Sequence, residues 1–191
     1  MSSQSSTTPV RSFNARQAET VDGLLDAALE EIRSAGFDAL TVRSVAARAE
    51  VAPPTAYTYF ASKNHLVAEV FARKLAELPH LDDAGSSPKA RLAAEFDHLA
   101  RFLAEEPELA HGTTVAMLGP EPDVVRLRLS TGHVVAERLR AALGRAATPD
   151  VVEALSLVWS GSLLQTGLGH QTYDEMAAQL KRVSALVTGA R

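Results

Sequence analysis

The sequence predicts an all-α protein: an N-terminal three-helix helix-turn-helix domain followed by a larger helical domain, about nine helices in total. Three observations carry this. Apolar residues recur at helical spacing in long stretches between Val21 and Val187. Capping residues and prolines stand where helices would begin, and glycines where they would end. No apolar–polar alternation runs longer than a few residues, and no internal repeat is visible.

The first helix places Val21, Leu24, Leu25, Ala28, Leu29 and Ile32 on one face. Asn14 and Gln17 resemble a capping pair, and Gly36 suits the C′ position. A short second helix starts at Thr41, whose hydroxyl can cap the first turn while Leu40 and Val45 form a hydrophobic staple. The third runs from Pro53 or Pro54 to Phe60, and the fourth from Ser62 to about Leu78. The segment His80 to Ser87 reads as a linker. Beyond it, Pro88 to about Glu105 and Pro107 to Leu118 read as helices, then about Pro122 to Leu143, bounded by Gly144. Pro149 to about Leu168 follows Thr148, and Tyr173 to Val187 opens on a Thr172–Glu175 capping box. The resulting division is an arm over 1–13, disordered in its small polar composition, a helix-turn-helix domain over 14–62, a connecting helix over 63–79 and a helical domain over 80–191.

A chain of 191 residues suits one full domain or two small ones sharing a core. With 46% hydrophobic and 22% charged residues it is not intrinsically disordered. A net charge of -4 excludes a bulk polycation but leaves room for a local basic patch. The absence of cysteine excludes thiolate catalysis, disulfides and Cys-based zinc sites. No apolar run approaches the ~20 residues of a membrane helix, and Met1 to Ser12 lacks the pattern of a secretory signal, so a cytoplasmic location is expected.

Residues 41 to 60, TVRSVAARAEVAPPTAYTYF, have the pattern of two short helices crossing at a tight bend. Val42, Val45, Ala46 and Ala49 give the first a small apolar face, and Val51 fills the joint. The second would present Thr55 and Thr58, with Tyr57 and Tyr59 nearby, hydroxyl groups suited to phosphate oxygens. Between Thr41 and His65 there are three cations (Arg43, Arg48, Lys63) and one acid (Glu50), a local excess of positive charge in an acidic chain. Arg48 reads as a solvated charge. Lys63 follows its expected cap Ser62, where free N–H groups and the helix dipole favour an anion.

Thr41-Val42-Arg43-Ser44-Val45-Ala46, followed by Val51-Ala52-Pro53-Pro54-Thr55-Ala56-Tyr57-Thr58-Tyr59-Phe60 and then Ser62, Lys63 and Leu66, resembles the DNA-binding domain of TetR-family transcriptional repressors over residues 14 to 78. The resemblance implies a homodimer on a palindromic double-stranded DNA operator and a C-terminal helical domain that binds a small effector and releases the DNA. By the motif, Thr41, Arg43, Tyr57, Tyr59 and Lys63 would contact the DNA backbone, while Pro54, Thr55 and Thr58 would face the bases. The chain departs from the family at Ala52, where serine is usual and which cannot cap, at the Pro53–Pro54 pair, and at Tyr59, where histidine is frequent.

Residues 76 to 191 carry 11 cations and 15 acids, an unsuitable surface for DNA. A helical domain of this size can enclose an apolar cavity. The expected lining is Phe96, Leu99, Phe102, Leu103, Met117, Leu118, Leu127 and Trp159, each also an ordinary core position. Such a pocket would take an apolar or aromatic effector. The last two helices, about 149–168 and 173–187, are the expected homodimer face. The first mixes large apolar residues with Ser160, Gly161, Ser162, Gly167 and Gly169, and the second repeats apolar residues at Met176, Leu180, Val183 and Val187. The six histidines suggest no metal site, no residue set suggests a cofactor, and no catalytic constellation is visible. The reading is a ligand-responsive homodimeric repressor and not an enzyme. An activator or a constitutive repressor without effector, and a small-molecule carrier without sequence-specific DNA binding, remain as alternatives.

Overall fold

The computed structural model describes residues 15–81 and 87–189. Among them are nine α-helices and no strand: α1 (Ala15–Ala39), α2 (Val42–Arg48), α3 (Pro53–Tyr59), α4 (Lys63–Glu77), α5 (Pro88–Glu105), α6 (Pro107–Ala116), α7 (Pro122–Leu143), α8 (Pro149–Gly167) and α9 (Tyr173–Gly189), with a 3-10 turn over Gly144–Ala146 after α7. The expected arm, the Asn14 cap and most of the expected linker lie outside the described residues.

Local chemistry explains most boundaries. Thr41 and Ser44 form a reciprocal capping box at α2, with Thr41 Oγ1 accepting from the Ser44 N–H at 2.9 Å. Ser62 Oγ accepts from the His65 N–H at the start of α4, and Ser87 Oγ from the Ala90 N–H at α5. Thr172 and Glu175 box the start of α9, and these bonds from Thr172 hold the Glu175 carboxyl below its usual range. Proline opens α3, α5, α6, α7 and α8, where its missing N–H leaves no bond unmade. Gly36 interrupts α1 at φ 76°, ψ 167°, and the chain turns there before continuing to Ala39.

Two apolar clusters hold the molecule together. The first joins α1 to α4 through Leu24, Ala28, Ile32, Phe37, Val45, Ala56, Phe60 and Leu66, and takes in Leu109 and Ala116 of α6. The second joins α5, α7, α8 and α9 around Phe96, Leu99, Leu139, Leu155, Met176 and Leu180, and takes in Phe71 and Leu75 of α4. Helices α4 and α6 therefore belong to both cores. The C-terminal end of α4 is pinned by Arg138, which is buried in α7. Its guanidinium donates to the Leu78 and Pro79 carbonyls at 2.9 and 2.8 Å and to Glu95 Oε1 of α5 at 2.5 Å.

The glycines expected to ease a helix–helix approach divide by role. Gly167 is used within the chain, for a β-carbon there would stand 2.2 Å from Thr114 Oγ1 of α6, whereas Gly161 faces open space. The α9 stripe also turns inward: Met176 and Leu180 are buried in the second cluster, Val187 packs against it and Val183 is half-buried, while Leu186, which is off the stripe, is exposed.

Candidate functional site

The α2–α3 pair is held by little apolar surface. From α2, Val42, Val45 and Ala46 are buried; from α3, only Ala56 is. Glu50 makes the bend between them at φ 55°, a left-handed conformation for a side-chain-bearing residue, and the Val51 N–H closes it on the Ala46 carbonyl at 2.9 Å. Ala52 offers no side-chain cap, but its carbonyl accepts from the Thr55 and Ala56 N–H groups. With one buried residue in seven, α3 leaves Pro54, Thr55, Tyr57 and Thr58 exposed on one outward surface, with Tyr59 half-buried at its edge. Thr41 and Arg43 are exposed at the start of α2. The Thr58 hydroxyl donates to the Pro54 carbonyl at 3.0 Å, which leaves its oxygen as an acceptor.

Two of the cations counted from the sequence are engaged by the fold. Arg48 pairs with Glu31 at 2.7 Å and Glu30 at 3.5 Å and fastens α2 to α1. The Lys63 ammonium donates to the carbonyls of Phe37 and Asp38 at 3.2 and 3.4 Å and lies 4.2 Å from the centre of the Phe37 ring. Those carbonyls follow the break at Gly36, where the helical bonding of α1 is interrupted. Of the ammonium's three N–H groups, one remains for a phosphate.

A cavity of about 300 Å³ lies between α4, α6, α7 and α8. Phe71 and Leu75 of α4 form one wall, and Thr113 and Thr114 of α6, with Met117 and Leu118 just beyond it, form the next. Arg128, Thr131, Gly132 and Val135 of α7 and Trp159, Ser160, Leu163 and Leu164 of α8 complete it. Of the residues expected from the sequence, Met117, Leu118 and Trp159 line this space. Phe96, Leu99, Phe102, Leu103 and Leu127 do not line it. All five are buried. The four from α5 belong to the second cluster, where α9 packs along α5. Periodicity shows which face of a helix is buried, not where its packing is incomplete.

The α6 helix serves both regions. Its Thr113 and Thr114 line the cavity, while its Leu109 and Ala116 enter the first cluster and its Gly112 lies against the Phe37 ring. At its start, Glu106 accepts from the Arg33 Nε of α1 at 2.9 Å and pairs with the Arg33 Nη2. The hydrogen bond from Arg33 holds the Glu106 carboxyl below its usual range. Beyond α6, Glu121 Oε1 accepts from Asn64 Nδ2 at 3.0 Å and from Ser62 Oγ at 3.3 Å, tying the start of α7 to the start of α4. Its own backbone N–H first, then Asn64 and Ser62, lower the pKa of that carboxyl. Nearby, buried His65 has Asp123 of α7 and Glu69 of α4 each at 3.8 Å.

The family of bacterial regulatory proteins of the tetR type matches residues 24–70, the segment of α1 to α4 just described. An uncharacterized HTH-type transcriptional regulator of Mycobacterium tuberculosis is 41% identical over 178 residues, covering 92% of this chain and 84% of the relative. The chain belongs to the TetR family. This regulator is also 28% identical over 183 residues to the HTH-type transcriptional repressor KstR of Rhodococcus jostii, covering 91% of this chain and 84% of that one. A TetR transcriptional regulator from Rhodococcus sp. RHA1 shares the fold, with a TM-score of 0.77 at 21% identity over 90% of this chain and 96% of that one.

The TetR-family sequence pattern gave no indication of the wall formed by Phe71, Leu75 and Thr113, or of the contact between Gly112 and Phe37. The amphipathic spacing of α4 marks Phe71 and Leu75 as buried and says nothing of what they face. Gly112, a glycine inside α6, was the one available signal of a close approach. Among the described residues, no group of three histidine, aspartate or glutamate side chains is placed to hold a metal ion. None of the described helices is long and apolar enough to cross a membrane.

Proposed function

We propose that this TetR-family regulator is a homodimeric repressor, acting in the cytoplasm beside its DNA, which a small apolar effector releases from a palindromic operator. One observation carries the reading: α6 is at once a wall of the cavity and the seat of α1 and α4. In the proposed complex, Thr41, Arg43, Tyr57, Tyr59 and Lys63 hold phosphates, and Pro54, Thr55 and Thr58 meet base edges in the major groove. Helices α8 and α9 pair with a second copy, for which the exposed Leu157, Leu164, Leu168 and Leu186 supply apolar surface. The two α3 helices then sit about 34–36 Å apart on successive major grooves.

An effector entering between Met117 and Trp159 presses on α6. With Gly112 against Phe37 and Gly167 against Thr114, α6 has no slack on either side, so its displacement passes to α1 and α4. The effector releases DNA only in so far as it prefers the displaced arrangement; a hundredfold preference corresponds to about 2.7 kcal/mol, within the ordinary range of allosteric coupling.

The test is selection of bound duplexes from a random pool by the purified protein at moderate salt. A palindromic consensus with two half-sites is expected. No enrichment by folded protein would remove the regulator reading and leave a carrier.

A further inference from the structure

The polar groups of the cavity say what kind of molecule it takes. No aspartate or glutamate lines it, and Arg128 is its one charged residue. Arg128 stands on the exposed side of α7, and its Nη1 donates to the Met117 carbonyl at 2.6 Å, which fixes the guanidinium at the mouth. Its other N–H groups have no partner among the described residues. Deeper in, Thr113 is 3% exposed and its hydroxyl has no hydrogen-bond partner. The other three lining hydroxyls, Thr114, Thr131 and Ser160, each donate to a carbonyl of their own helix. A threonine within a helix ordinarily does the same, so an unbonded hydroxyl facing apolar space is unusual and costly. Thr113 and Met117 are one turn apart, since the Met117 N–H donates to the Thr113 carbonyl at 2.8 Å. The cationic anchor at the mouth and the orphan hydroxyl within thus lie along one edge of α6.

Size follows from the volume. An apolar cavity of about 150 Å³ holds a benzene ring, so 300 Å³ suits about twelve non-hydrogen atoms. We propose that the effector is an apolar monocarboxylate of that size, its carboxylate on Arg128 at the mouth, its body against Trp159, Phe71 and Leu75, and a second oxygen on its chain bonded to Thr113. The proposal rests on reading the cavity as the effector site. It excludes cationic effectors, for which the lining holds no counter-charge.

Trp159 is the only tryptophan of the chain and lines the cavity, so its fluorescence reports occupancy directly. Decanoate, 1-decanol and decylammonium share one apolar body and differ in head charge. Titrated at pH 7 below the concentrations at which they aggregate, decanoate is expected to bind about tenfold tighter than 1-decanol, and decylammonium weakest. Arg128→Gln, with an unchanged melting profile, should bring the first two to parity. 3-Hydroxydecanoate should bind about threefold tighter than decanoate, and Thr113→Val should abolish that gain. If 1-decanol or decylammonium equals decanoate on the native protein, the anionic head is wrong while the cavity stands as an effector site. If 3-hydroxydecanoate gains nothing over decanoate, the role given to Thr113 is wrong. If none of the ligands binds saturably, the effector site itself falls, and the proposal with it.

Discussion

The ring of Phe37 lies so close to Gly112 that a β-carbon built on the glycine would stand 2.8 Å from its Cδ2. On the Lys63 side, the same ring receives that ammonium 4.2 Å from its centre. One side chain of α1 thus touches both the wall of the cavity and the helix that follows α3. Tight packing of this kind transmits displacement, because neither neighbour has free volume to absorb it.

Gly112→Ala sets two effects against each other. Alanine in a helix interior gains about 1 kcal/mol over glycine, while overpacking a buried ring costs typically about 1–3 kcal/mol. The ring is held by Lys63 and the first cluster, so the clash should win and lower stability by about 1 kcal/mol. Gly23→Ala, where nothing lies within 4 Å, should instead stabilise. A double-mutant cycle with Phe37→Leu, read by thermal unfolding, checks the assignment: the smaller side chain should restore part of the benefit of alanine.

These contacts mark where the sequence stopped being informative. Thr41, Ser62 and the Thr172–Glu175 pair could be read as caps because a cap is decided within four residues. The exposed face of α3 was equally legible, since its threonines and tyrosines follow a local pattern. The cavity was not, because Phe96 and Phe71 look alike in sequence, and only the placement of α9 along α5 decides which borders a void. Lys63 was read as a phosphate contact from its position after Ser62, and its carbonyl partners lie 25 and 26 residues away.

Tyr57 and Lys63 should therefore separate in their variants. Tyr57 is 51% exposed, so Tyr57→Ala should change stability by no more than about 0.5 kcal/mol while weakening binding to specific and random DNA alike. Lys63→Met gives up charge-assisted bonds to two carbonyls and a cation–π contact, and should cost about 1–2 kcal/mol of stability as well as DNA affinity. Melting curves beside binding isotherms at several salt concentrations distinguish them. Equal stability loss in both would show that Tyr57 is part of the core.

Glu50 occupies a left-handed conformation that glycine adopts without strain. Glu50→Gly should raise stability by about 0.5–1 kcal/mol, after allowing for the greater freedom of glycine in the unfolded chain. Glu50→Ala, which removes the same charge but keeps the β-carbon, should show none of that gain. A matched gain in both variants would assign the effect to charge.

Arg138 and Glu95 form a buried pair that also satisfies the carbonyls ending α4. Arg138→Met leaves the carboxylate and those carbonyls without their partner, and should cost about 3–5 kcal/mol. Adding Glu95→Leu removes the stranded charge and should recover part of that loss. Chemical unfolding of the two single variants and the double one measures the coupling directly.

The pair between Arg33 and Glu106 predicts a pH dependence whose sign can be worked out. Arg33 lowers the Glu106 pKa below its ordinary value of 4.5, and the Arg33 pKa is itself raised, so Arg33 stays charged across the accessible range. A carboxyl with a depressed folded-state pKa contributes stability that is present above 4.5 and lost as pH falls through the lower folded value. Because Arg33 is half-exposed, the contribution should be about 0.5–1 kcal/mol at pH 7 and smaller at high salt. Glu106→Gln should therefore be less stable than the native chain at pH 7, with the gap closing below the carboxylate range. A gap that persists undiminished at pH 3 would mean that Glu106 acts by packing alone, and that the ion pair does not hold α6 to α1.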